Sequence, residues 1–134
     1  MLFRSLKKPG SLTPDEFDLM KQHTVKGANI VRVVQRLREM IPGIELHHES
    51  MDGAGYPHQL KGEEIPLMAR IIAVADTFDA MTTHRPYQTA MDPSVVVKFI
   101  QSQAGRRFDP ACAAALQKAN DSGRLKLQRV AAVT

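Results

Sequence analysis

The run His-His-Glu-Ser-Met-Asp-Gly-Ala-Gly-Tyr-Pro at residues 47–57 joins two imidazoles and a carboxylate to a glycine-rich loop closed by proline. Metal-assisted hydrolysis is the first chemistry such a set suggests. Adjacent imidazoles diverge on any regular backbone, so His47 and His48 can reach neighbouring ions, or hold one ion and one partner that orients it. The glycines let backbone come close to a bound group. Further on, Asp76 and Asp79 lie three apart in the apolar stretch 71–81 and therefore share a helix face. A carboxylate in such a stretch is costly to bury without a cation, so a metal or an arginine is expected opposite it. Arg85-Pro86-Tyr87 then offers a planar guanidinium suited to phosphate.

These groups must be carried by helices. Thr13-Pro14-Asp15-Glu16 reads as a helix start, with Thr13 as N-cap, Pro14 in the first turn and Glu16 placed for a capping box. Phe17, Met20, Val31, Val34 and Leu37 continue it with helical spacing to about Met40, where Pro42-Gly43 ends it; His23 lies on this helix. Residues 44–49 should form a short helical segment presenting His47 and His48. Residues 50–64 contain Gly53, Gly55, Pro57 and Gly62 and read as a long irregular loop. Pro66 opens the next helix, with Leu67, Ile71, Val74, Phe78 and Met81 as its buried stripe. Asp92-Pro93 and Asp109-Pro110 each pair an N-cap with a first-turn proline and start two more helices. The fold class is all-α.

Composition sets outer bounds. The chain has 134 residues, of which 43% are hydrophobic and 24% charged, which fits one globular core rather than disorder. A net charge of +4 favours anionic partners. The basic residues are scattered and lack interleaved aromatics, so nucleic acid is not the expected partner. No apolar run is long enough to span a membrane, and the single cysteine, Cys112, fits a reducing cytoplasm and a structural thiol.

The elements HHE (47–49), DGAGYP (52–57), VADTFDA (74–80) and RPY (85–87) follow one another in the order and at the spacing of the HD-GYP domain family, which the segment from about Lys8 to about Leu116 resembles. The resemblance implies a helical bundle, here a partial one over residues 1–120 with a long GYP loop, followed by a basic tail at 121–134. It implies a metal-dependent phosphodiesterase that cleaves cyclic di-GMP. Divalent ions, iron or manganese by family precedent, would bridge an attacking hydroxide, two of them where the ligand set is complete. His23, His47, His48 and Asp76 match family metal ligands. Asp79 would orient the site or pair with Arg70 or Arg85, and Glu49 would support the ligands from behind. Arg85 and Tyr56 would meet the dinucleotide or its linear product, with Asp76 and Arg85 serving the reaction itself; Tyr56 reads equally well as a packing residue. Gln88 stands where the family's RPYK element has lysine. Asp52, Gly53, Gly55, Tyr56 and Pro57 would form a loop that shapes the site and docks partners such as diguanylate cyclase domains. Residues 105–110 resemble the family's closing G-x-x-FDP element, expected to be structural.

The family's HD dipeptide and its nearby lysine fall upstream of the segment matched here, so the expectation is a partial domain, impaired on its own or completed by a second copy. A non-catalytic module that docks through the GYP loop is the competing reading. Hydrolysis of another phosphate ester at a single ion is a third.

Overall fold

In the structure, a computed structural model that describes residues 11–85 and 88–125, five α-helices follow one another among the described residues. They are α1 (Pro14–Arg32), α2 (Ile41–Leu46), α3 (Leu67–Thr82), α4 (Pro93–Ser102) and α5 (Pro110–Asp121). Short 3-10 helices at Gln35–Met40 and Gly62–Glu64, of two turns and one, lie between them. Strand pairing among the described residues is confined to isolated bridges. The segment 7–10, Pro86, Tyr87 and the tail beyond 125 lie outside the described residues.

Local chemistry sets each start. Thr13 Oγ1 accepts from Glu16 N at 3.3 Å while Glu16 Oε2 accepts from Thr13 N at 2.9 Å, closing the expected capping box with Pro14 in the first turn. Asp92 caps α4 through Ser94 N, and Asp109 caps α5 through Cys112 N. The first helix departs from its sequence reading. It stops at Arg32 rather than near Met40, because the β-branched run Val31, Val33, Val34 ends with Val34 in extended backbone (φ −97°, ψ 103°). Pro42 does not terminate a helix: it sits in the first turn of α2, where a missing N–H is harmless.

Helix α2 packs between α1 and α3, and α4 packs between α3 and α5. The main core gathers Val74 and Phe78 of α3, Val96, Val97 and Ile100 of α4, Phe108, and Ala113 of α5. Val74 and Phe78 are buried as the stripe on α3 requires, but Leu67 and Ile71 are 55% and 51% exposed. They lie one turn earlier, where α3 borders a groove shared with Cys112, Ala115 and Leu116 of α5 rather than the packed interior. Cys112 packs partly against the core, and burial pushes its thiol pKa up, in keeping with a structural role. No helix among the described residues is long and apolar enough to cross a membrane.

One ion pair ties α3 to the start of α5. Arg70 Nη1 donates to Asp109 Oδ2 at 2.7 Å, and Asp109 is only 6% exposed. Asp109, not Asp79, is therefore the partner of Arg70. Burial alone would raise the Asp109 pKa, but hydrogen bonds from Cys112 N, Arg70 and Ala111 N, with the Arg70 charge, outweigh it and hold the carboxyl below 3.8. A depressed folded-state pKa stabilises the fold above the ordinary carboxylate value, and that contribution is lost as pH falls through the folded value. We expect Arg70→Ala to lower unfolding stability by about 3 kcal/mol, because it leaves a buried carboxylate without its cation. Urea denaturation at neutral pH checks this, and an unchanged midpoint would show the pair to be dispensable.

Candidate metal centre and cleft

Two close helix approaches build the site, the first at Gly27 on α1, where a Cβ would lie 3.2 Å from Ile44 Cγ2 on α2. At Gly43 on α2, a Cβ would come within 2.6 Å of Ile72 Cδ1 and 2.9 Å of Met68 Sδ, so a larger residue there would have to push these α3 side chains aside. Helix α1 supplies His23, and His47 and His48 follow directly from the end of α2. One nitrogen from each of the three rings lies within 4.8 Å of the other two.

Their tautomers are set from behind. His23 Nδ1 meets Met20 O, and His47 Nδ1 lies 2.9 Å from Ile44 O and 3.0 Å from Gly43 O. A carbonyl can only accept, so each Nδ1 carries a proton and the neutral ring has its lone pair on Nε2, the tautomer a metal-binding histidine requires. His48 stacks on Tyr56, with ring centres 4.9 Å apart and planes 19° off parallel. Its pKa is pushed down to about 4, first by burial and then by the charges of His47, His23 and Arg107, against the opposing pull of Asp76. It is therefore neutral at pH 7. Burial and the nearby Asp76 charge raise the Tyr56 pKa, against Arg107, so its hydroxyl stays a donor.

Asp76, on α3, is outside the 4.8 Å trio but lines the same cleft as His47, His48 and Tyr56, an open space of about 1090 Å³. Three imidazoles with free lone pairs and a carboxylate on the facing helix make a donor set that suits a divalent first-row metal. The residues present fit such an ion.

The loop after His48 is held by its own carboxylates. Glu49 is 5% exposed, and its two oxygens accept from His58 N at 2.6 Å and Leu60 N at 3.0 Å. Glu49 thus folds the loop, which corrects the expectation that it supports the metal ligands. Asp52 accepts from Ser50 Oγ at 2.7 Å and Ala54 N at 3.0 Å, and these bonds lower its pKa. Gly53 takes a positive φ of 82°, and the Tyr56–Pro57 bond is cis. At Gly55 a Cβ would stand 2.4 Å from Ser50 N and 2.5 Å from Glu49 Cα. The far side of the loop is tied to the turn between α4 and α5: Asp52 N donates to Arg106 O at 2.8 Å and Met51 N to Arg107 O at 3.3 Å.

His23, His47 and His48 are thus brought together, and His47, His48, Tyr56 and Asp76 line one cleft, whose lining does not include His23. Arg85, Gln88 and Asp79 are not among the residues lining the cleft. Arg85 and Gln88 exchange backbone hydrogen bonds at 2.9 and 3.0 Å, Gln88 Nε2 donates to Ala80 O, and Asp79 accepts from Thr83 Oγ1. Among the described residues, the cations that line the cleft are Lys21 and Lys26 on α1 with Arg106 and Arg107. Reading residues 105–110 as purely structural overlooked the two arginines. The paired basic residues before Phe108 were the available signal.

The HD domain family model matches residues 1–112. The cyclic di-GMP phosphodiesterase response regulator RpfG of Xanthomonas campestris pv. campestris is 44% identical over 127 residues, 93% of this chain and 32% of that protein. A cyclic di-GMP phosphodiesterase of Thermotoga maritima is 44% identical over 117 residues, 86% of this chain and 32% of its own length. The chain therefore spans about a third of each relative. Among solved structures, the cyclic GMP-AMP specific phosphodiesterase V-cGAP3 of V. cholerae superposes with a TM-score of 0.67 at 22% identity, over 92% of this chain and 32% of that one, a likeness of fold.

Proposed function

Because this chain belongs to the HD domain family and carries the sequence elements that resemble the HD-GYP domain, we propose that it supplies the metal-binding cleft of a phosphodiesterase acting on cyclic di-GMP. The observation that carries this reading is the trio His23, His47 and His48, grouped within 4.8 Å, beside a cleft that Asp76 also lines. These four side chains would hold a divalent ion, iron or manganese. When bound, such an ion polarises the phosphoryl oxygen and lowers the pKa of water enough to make a nucleophile at neutral pH.

The chain's own residues do the rest. The backbone carbonyls behind His23 and His47 hold the proton of the neutral ring on Nδ1, which leaves Nε2 to face a metal, and the burial of His48 keeps its ring neutral. Tyr56 packs against His48 and retains its hydroxyl proton, so it can donate to a phosphate oxygen without adding negative charge. The loop from Glu49 to Pro57 closes the cleft wall around both.

The test is the content of iron, manganese and zinc in protein purified without chelators, followed by release of the linear dinucleotide from cyclic di-GMP. About one ion per chain is expected from these four ligands, with hydrolysis that stops on chelation and returns with manganese. Absence of both metal and hydrolysis would overturn the proposal and leave the docking-module reading ahead.

A further inference from the structure

Among the cations of the cleft, Arg107 differs from the others. Lys21 pairs with Asp18, and Arg106 lies 3.9 Å from Asp52 with its side chain 78% exposed. Lys26 is an exposed ammonium at the end of a flexible arm. Arg107 is exposed too and makes no side-chain hydrogen bond or ion pair with any described residue, but its backbone is tied at both its N–H and its carbonyl and its side chain stacks on a ring. Its N–H donates to Gln103 O at 2.9 Å, its carbonyl accepts from Met51 N, and its guanidinium lies 5.0 Å over the ring of Phe108, which is 2% exposed. From there its charge reaches both His48 and Tyr56.

That placement is unfavourable in isolation. A guanidinium beside a site that fits a divalent cation meets like-charge repulsion unless an anion comes between them. Among the described residues the cleft does not provide enough of one: Glu49 is committed to loop amides, Asp52 lies by Arg106, Asp18 pairs with Lys21, and Asp76 is a single carboxylate on the cleft wall beside three imidazoles. An unpaired planar fork that lines a cleft beside a site fit for a cation suits recognition of a phosphodiester.

We propose that Arg107 is the phosphate-binding side chain of this cleft, holding a phosphodiester of a cyclic dinucleotide, or of its linear product, against the imidazole trio. The assignment rests on reading the cleft as a cyclic-dinucleotide site. It gives the part expected of Arg85 to a residue from the turn between α4 and α5.

The experiment is calorimetric titration of the manganese-loaded chain with cyclic di-GMP and with the linear dinucleotide. It compares the wild type with Arg107→Ala, Arg107→Lys and, as a control for lost charge, Lys98→Ala on the exposed face of α4. Loss of a charge-assisted fork should raise Kd about 10- to 100-fold in Arg107→Ala. Arg107→Lys should be intermediate, since an ammonium keeps the charge but not the fork, and Lys98→Ala should match the wild type. Manganese content should be equal in all four. Binding by Arg107→Ala within about twofold of wild type would overturn the assignment while the cyclic-dinucleotide reading stands. A wild type that holds manganese but takes up neither nucleotide would overturn both. Should Arg107→Ala lose its fold or its metal, Arg107→Lys decides: affinity equal to wild type overturns the role of the fork, and a clear loss supports it.

Discussion

Replacing His47 with alanine is expected to weaken divalent metal binding by more than about 100-fold while the helices remain folded. Altering only the partner behind a metal-bound histidine typically costs 10- to 100-fold in affinity, so removing the ligand itself should cost more. His47 is well suited to the test. It stands just past the end of α2, its ring is partly exposed, and the main core is built around α3, α4 and α5. Its Nδ1 bonds only backbone carbonyls at the end of its own helix, which can turn to water once the ring is gone. Metal analysis after dialysis reads the loss, and far-ultraviolet circular dichroism reads the fold. Undiminished metal in a folded His47→Ala chain would remove the imidazole trio as the centre.

Adding one methyl group at Gly55 should be nearly as damaging, by a different route. The new carbon would lie 2.4 Å from Ser50 N and 2.5 Å from Glu49 Cα, both backbone atoms that cannot rotate away. Overpacking ordinarily costs 1–3 kcal/mol, and a clash with main chain belongs at the upper end, about 3 kcal/mol. The segment forced to move follows His48 directly, and it carries Tyr56, which stacks on that ring. Gly55→Ala should therefore lower both the denaturation midpoint and metal occupancy, whereas Gly62→Ala should leave the metal in place, because no atom lies within 4 Å of the added carbon there. Gly62 has a φ of 52°, so some loss of stability is expected at that position too. Equal metal retention by the Gly55 and Gly62 variants would show that the tight approach at Gly55 does not support the centre.

Much of this was legible because it is local. A capping box, two Asp-Pro starts and the glycines of the loop act through neighbours a few residues away, and all of them appear where the sequence indicates. His47 and His48 were legible because they are adjacent in a glycine-rich run, whereas His23 was singled out only by the family resemblance, since it joins them through helix packing. The end of α1 was not, since apolar spacing continues past Arg32 while the valine run turns the chain. Leu67 and Ile71 fit a buried stripe by periodicity, but periodicity names a face and not what covers it. Arg85 and Arg107 show the same limit. Either guanidinium suits a phosphate by type, and only the meeting of the loop with the α4–α5 turn decides which one borders the histidines.

That meeting also governs how the cleft comes apart. A loop of this length would ordinarily open by itself, in the low-energy fluctuations that expose surface amides to exchange with solvent. Here Ser50, Met51 and Asp52 bond to Arg106 and Arg107, the first of them across 56 residues of chain. Those arginines precede Phe108 at the centre of the packed helices. The loop can let go only by leaving its partners on the turn behind, so its lifetime is coupled to that of α4 and α5. The two walls of the cleft, one from each half of the chain, behave as a single cooperative unit that is made or lost together.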